Sequence, residues 1–279
     1  MTKTAQLKEI YSFLKRLAPE ALAEPWDNIG LQVGSLEEVV SGILVSLDAT
    51  EAVLWEAVEH EANLVVTHHP LIFKAIKRLD DSTASSRILR LAVQMDLNVM
   101  SFHTNLDSTQ AGLNDALART IGVQGTRALI PSRDPKNPKA GLGRIGSVPK
   151  TSLKNFLSHL SKRLSLNELR YVGDLRHPIK KVAVMTGSGG DFFLEAQQAG
   201  ADVLVTGDVK YHQALDSQSE GIALVDIGHY AGEIGMVPLV SAHLRSWLKK
   251  SRLGIKVFES QVTEDPFRFW SRLSVKSGH

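Results

Sequence analysis

The chain has 279 residues, 43% of them hydrophobic and 22% charged, with a formal net charge of +2. This is the profile of a soluble globular protein, one large domain or two small ones, and the near-balanced charge disfavours a dedicated nucleic-acid surface. Cysteine is absent, which excludes disulfides, thiolate metal sites and thiol nucleophiles.

The N-terminal stretch "MTKTAQLKEIYSFLKRL" places Leu7, Ile10, Tyr11, Leu14 and Leu17 at helical spacing. It predicts an amphipathic helix rather than a signal peptide. No apolar run approaches a membrane span, so the cytoplasm is the expected compartment. "GILVSL" (42–47), "LVVT" (64–67) and "LNVMSF" (97–102) read as strands. Between them, "EAVLWEAVEHE" and "SSRILRLAVQM" read as helices, the second with Ile88, Leu91, Ala92 and Met95 on one face. Strand–helix–strand alternation predicts an α/β fold with parallel strand pairs. The alternation breaks at "PSRDPKNPKAGLGR" (131–144), where Pro, Gly and charge predict a loop or boundary. A helix capped by Thr151 or Ser152 follows, with Leu153, Phe156, Leu157, Leu160 and Leu164 inward. The alternation then resumes with strands at 181–186, 202–206 and 222–227.

The two halves are alike. A shift of 139 positions lays "EAVEHEANLVVTHH" on "EAQQAGADVLVTGD" without a gap, and two strands and the intervening helix stay in register. Any two strand–helix–strand units share apolar runs, but the joint register favours a duplication. The expected architecture is two similar three-layer α/β lobes with a site between them. The first spans 1–125 and is completed by 235–279; the second spans 126–234.

Three strand ends carry candidate ligands: His68 and His69, His103 with Asp107, and His229 with Glu233. In open α/β sheets, ligands bind at the carboxyl ends of strands. Imidazole and carboxylate without thiolate suit Zn, Fe, Mn, Ni or Co as divalent ions. The four-residue spacing puts His229 and Glu233 on one face of a helix. Asp107 is expected in a loop, because the predicted helix after it begins several residues later. A lone His–carboxylate pair is more often a plain hydrogen bond than a ligand set. Three such clusters split between two lobes favour metal, and adjacent histidines are explained if each serves a different ion. Two ions about 3.5–4 Å apart form a clamp suited to hydrolysis.

Together, "EPWDNIGLQVG" (24–34), "VVTHHPLIF", "SFHTNLDS", "VLVTGDVKYH" and "IGHYAGE" resemble the dinuclear-metal family of GTP cyclohydrolase I type 2 homologs, also called the interacting-factor-three family. The likeness covers essentially the whole chain with the motifs in order. It implies two α/β lobes around two divalent transition-metal ions, and self-association into a toroidal homohexamer. It implies His68, His69, Asp107, His229 and Glu233 as ligands, with His103 better placed as a near neighbour. Some relatives carry a domain inserted mid-chain; the stretch 131–180 is too short for one.

The glycine-rich turn "TGSGGDF" offers Gly187, Ser188 and Gly189 as candidate substrate contacts, since such turns can hold phosphate at a helix start. A tight turn between strand and helix explains the same letters. His103, Asp208 and His212 are candidate acids or bases, although capping and surface exposure account for Asp208 and its neighbours equally well. Trp26 reads as a packing residue, with Asp27 and Asn28 able to line a cavity. The leading function is a metal-dependent hydrolase of a small, nucleotide-like substrate, GTP ring opening being one candidate. The alternatives are a non-catalytic metal storage or delivery protein, and a regulatory or nucleic-acid-binding assembly with structural metal.

Overall fold

The computed structural model describes residues 4–270. The outer ends of the expected lobe spans, 1–3 and 271–279, lie outside the described residues. The chain runs α1 (Leu7–Leu17), β1 (Gly30–Val33), β2 (Gly42–Ser46), α2 (Glu51–Glu59), β3 (Leu64–Thr67), α3 (Ala84–Gln94), β4 (Asn98–Ser101), α4 (Thr104–Ser108) and α5 (Leu113–Thr120). It continues through β5 (Gln124–Pro131), β6 (Gly141–Ser152), α6 (Leu153–Leu164), β7 (Arg170–Val172), β8 (Pro178–Val184), α7 (Phe193–Gln198), β9 (Val203–Thr206), α8 (Tyr211–Glu220) and β10 (Ala223–Asp226). α9 (His229–Glu233), α10 (Met236–Lys250) and β11 (Lys256–Glu259) complete it.

The strands form two mixed sheets, ordered β1-β4-β3-β2-β11 and β5-β6-β8-β9-β10-β7. β2, β3 and β4 are parallel in the first; β8, β9 and β10 are parallel in the second. β2, β3, β4, β9 and β10 are buried along their length and β8 over its last three residues, as expected where helices cover both faces. In the first lobe Ile43, Val45, Leu64, Val66 and Met100 face α1 and α10, while Leu44, Val65 and Val99 face α2 and α3. In the second, Val182, Val184, Val203 and Val205 face α5 and α6, and Ala183 and Leu204 face α7. Each lobe is thus an α/β/α sandwich.

The duplication reaches further than the register of β2-α2-β3 on β8-α7-β9. Each triplet of parallel strands is flanked by an antiparallel strand that precedes it in the chain, β1 beside β4 and β7 beside β10. At the opposite edge the lobes differ. β11, from the C-terminal part of the chain, lies parallel to β2, whereas β6 lies antiparallel to β8. Helices tie the lobes together: α5 puts Leu113 in the first core and Leu117 and Ala118 in the second.

The stretch 131–144 is a loop only in part. β5 and β6 form an antiparallel hairpin around 132–140, and Gly141–Arg144 belong to β6. The Pro- and Gly-rich composition marks the hairpin tip, and strand pairing absorbs the rest. Arg144 is buried, with its guanidinium on the carbonyls of Gly141, Gly143 and Thr109 and on the Asp115 carboxylate, so it pins β6 to the segment before α5. Ser152 caps α6 by accepting from the N–H of Asn155.

Candidate metal centre

β3 ends at Thr67, and the next two residues turn out of the sheet together. The N–H groups of His68 and His69 both donate to the carbonyl of Leu47, at 3.1 Å each. The Thr67 hydroxyl donates to the His69 carbonyl at 2.9 Å. This shared anchoring breaks the alternation of a strand, so adjacent imidazoles reach one cluster.

Four histidines converge there, and each is held from behind through Nδ1. For His68 the acceptor is the Phe102 carbonyl at 2.9 Å. For His69 it is Asp48 Oδ1 at 2.8 Å, for His103 Asp27 Oδ1 at 2.9 Å, and for His229 Asp208 Oδ2 at 2.7 Å. A carbonyl or carboxylate can only accept, so Nδ1 carries the proton in every case and Nε2 is the nitrogen left for a ligand. This is the arrangement that orients metal-binding imidazoles and raises their basicity.

The Nε2 atoms of His69 and His229 are 3.2 Å apart and lie 3.0 and 2.9 Å from Glu233 Oε2. Yet Glu233 Oε2 is buried without a hydrogen bond of acceptable geometry, and so is His68 Nε2. His68 Nε2 sits 3.7 Å from Glu233 Oε1 and 3.8 Å from Asp107 Oδ2. Buried polar atoms without partners are costly, and lone pairs aimed at a common point are what a cation would satisfy. Three sets have ligand atoms close enough to share an ion: His69, His229 and Glu233; His68, Asp107 and Glu233; and His68, His69 and His103. The residues therefore fit a metal.

The electrostatics describe the same pull for positive charge. Burial would lower the pKa of His68, but Asp107 and Glu233 outweigh it and raise it. Burial also works against His69, yet Asp48 and Glu233 lift it to about 10. Glu233 lifts His229 to about 9 against partial burial, with help from Asp208. Burial would raise Glu233, but His68, His229 and His69 hold it well below the usual carboxylate range. Burial raises Asp107, with His68 pulling the other way and Glu233 adding to the rise.

Asp107 lies in α4, not in a loop. The N–H of Asp107 donates to the His103 carbonyl at 3.1 Å, so one helical turn brings His103 and Asp107 to the same side. A five-residue helix carries too little periodicity to be read from sequence. Of the candidate acid–base groups, His103 joins the cluster and Asp208 backs His229, whereas His212 is exposed on α8 beside Tyr211. Gly187 and Ser188 line the cavity above the cluster. Gly189 turns inward, its N–H donating to the Thr206 hydroxyl at 2.8 Å.

Gly187 has a reason of its own. A Cβ there would stand 2.4 Å from Glu233 Oε1, and its φ is +62°. Trp26 is not a packing residue: it is 59% exposed at the cavity mouth. Sequence reasoning missed Asp48, at the carboxyl end of β2, and Thr186, whose hydroxyl donates to Asp107 Oδ1 at 2.8 Å from the opposite lobe.

The family model for Duf34/NIF3 (NGG1p interacting factor 3) matches residues 5–266. The chain belongs to the DUF34/NIF3 family. Among curated DUF34/NIF3 relatives, a "GTP cyclohydrolase 1 type 2 homolog" of Clostridium perfringens is 36% identical over 265 residues, covering 95% of this chain and 99% of its own length. A protein of the same name from Bacillus subtilis is 27% identical, and its alignment runs over 373 positions, so it carries inserted sequence that this chain lacks. Among solved structures, a hypothetical protein of Staphylococcus aureus superposes with a TM-score of 0.91 at 30% identity, over 96% of this chain and all of that one. A Bacillus cereus protein related to NIF3 gives 0.92 at 27%, with the same coverage.

Proposed function

We propose that this DUF34/NIF3 protein binds two divalent transition-metal ions and hydrolyses a small, nucleotide-like substrate. The observation that carries the reading is Glu233, buried and common to two ligand sets that otherwise share nothing. His68 and Asp107 would complete one position and His69 and His229 the other, with zinc, iron, manganese, nickel or cobalt all compatible with the donors. Ions bound there would supply Lewis acidity and a nucleophile generated from water near neutral pH.

The chain's own groups set the rest. Asp48 and Asp208 keep the proton of His69 and His229 on Nδ1, leaving Nε2 free. Thr186 orients Asp107 so that Oδ2 faces His68. His103 donates its Nδ1–H to Asp27 and lines the cavity, which makes its Nε2 the candidate base. The cavity, about 550 Å³, is within the range for small-molecule sites. Ring opening of GTP is one candidate reaction, in keeping with the names of the curated relatives. The proposal includes a cytoplasmic toroidal homohexamer, checked by light scattering as a mass about six times the 30.5 kDa of one chain.

Elemental analysis of protein purified without a metal-affinity tag should find about two transition ions per chain. Less than half an equivalent, with no uptake on reconstitution, overturns the reading. A screen of nucleotides, phosphoesters and cyclic amides, with His69→Ala as control and each metal supplied, tests catalysis. Turnover should depend on metal and on His69. Ions without turnover on any substrate would favour storage or delivery.

A further inference from the structure

We infer that Trp26 and Phe73 form a seat for a flat unsaturated ring at the mouth of the metal-site cavity, so the ligand class is a small heteroaromatic molecule. This deepens the substrate reading above and rests on the same cavity being where the ligand enters.

Both side chains are large and open, 59% and 50% exposed, and they touch edge to face with centroids 5.8 Å apart. Single exposed aromatics are ordinary; a contacting pair on a cavity rim is not. The His103 ring stands 6.0 Å from Trp26 and 6.3 Å from Phe73, so the pair continues directly into the ligand cluster. Across the cavity stand Leu142, Met185 and Phe192 from the second lobe.

The aromatic side is built on a fixed frame. Asn28 Nδ2 donates to the Ile72 carbonyl at 2.6 Å, and the Ile72 N–H donates to Gln32 Oε1 at 3.3 Å. These bonds tie the segment of Trp26 to that of Phe73. Asp27, its side chain buried, accepts from both His103 and the Thr104 N–H, which locks Trp26 to the metal centre. The Glu24 N–H donates to Thr104 Oγ1 at 2.9 Å on the other side of Trp26. Irregular backbone held this way keeps its rim side chains in place before a ligand arrives, which lowers the cost of binding. Stacking is indifferent to the hydrogen-bonding edge of the ring. The seat therefore selects flat rings as a class.

The test is calorimetric titration of guanosine, cytidine and ribose 5-phosphate into the purified full chain, with metal content measured in every sample. Wild type should bind a nucleoside and bind ribose 5-phosphate far more weakly. Trp26→Ala and Phe73→Ala should each weaken nucleoside binding by roughly 5- to 150-fold, with unchanged metal content. Trp26→Phe should restore most of the affinity. Absence of nucleoside binding, equal binding of the base-free sugar phosphate, or unchanged affinity in Trp26→Ala would overturn the inference. Trp26-dependent binding without metal-dependent turnover would defeat the hydrolase reading and leave the ring seat standing. Turnover of a substrate without a flat unsaturated ring, unaffected by Trp26→Ala, would do the reverse.

Discussion

Thr186 is a small residue with a long reach: its hydroxyl crosses from one lobe to hold the Asp107 carboxylate of the other. The Thr186 N–H in turn donates to Asn114 Oδ1, and Asn114 Nδ2 donates to the Asp107 carbonyl. Outer groups of this kind commonly contribute 10- to 100-fold in metal affinity. Thr186→Val should therefore weaken metal binding by roughly 10- to 100-fold, and Thr186→Ser should restore it; chelator competition reads both. The histidines give a second prediction. In the metal-free chain His69 and His229 hold protons up to about 10 and about 9, against an ordinary 6.5. Their stabilisation is complete below 6.5 and is lost as pH climbs through 9 to 10. The melting temperature of the metal-free chain should fall over that window. Metal loading should show the opposite preference, because ions displace those protons. Adding metal in weak buffer at neutral pH should release acid, and dialysis at low pH should strip the ions.

The repeated β-α-β element shows how one backbone serves two chemistries. Under the 139-residue shift, Asp48 falls on Gly187 and His69 on Asp208. In the first lobe these positions hold a carboxylate backing an imidazole. In the second they hold a glycine that makes room for Glu233 and a carboxylate that backs His229. Gly187→Ala would demand a left-handed alanine and a Cβ pressed on Glu233. The backbone conformation costs about 1–2 kcal/mol, and the displaced carboxylate should lose metal; circular dichroism and metal content, taken together, separate the two effects. What was legible at this scale follows from periodicity. The inward faces of α1, α3 and α6 repeat at 3.6 residues, and the central strands, covered on both faces, stand out as short continuous apolar runs. The clusters at His68, His103 and His229 were legible because each follows a strand that the apolar runs already mark. Not legible were α4, too short to show a period, and the antiparallel β5–β6 hairpin, whose Pro-rich tip reads as a boundary. Asp48 and Thr186 matter through contacts 21 and 79 residues away, and Trp26 through exposure. Neither property is written in local pattern.

Among the described residues, no helix is long and apolar enough to cross a membrane. At the scale of the whole molecule, the ligand cluster divides its donors between halves of the chain. His68, His69, His103 and Asp107 come from the first lobe; His229 and Glu233 follow the last parallel strand of the second. The lobes are joined by protein contacts too, through α5 and Arg144. An ion spanning this seam would act as a removable rivet. Its departure would leave Glu233 and His68 with their unpartnered atoms and the seam free to shear, while the sheets stayed intact. Hydrogen exchange should then quicken on chelation in 103–109, 186–189 and 227–235, and remain slow in β2, β3, β8 and β9. Equal protection with and without metal would show that the seam is welded by the protein itself. If the difference appears, the local concentration of metal would govern how stiffly this molecule holds its own two halves.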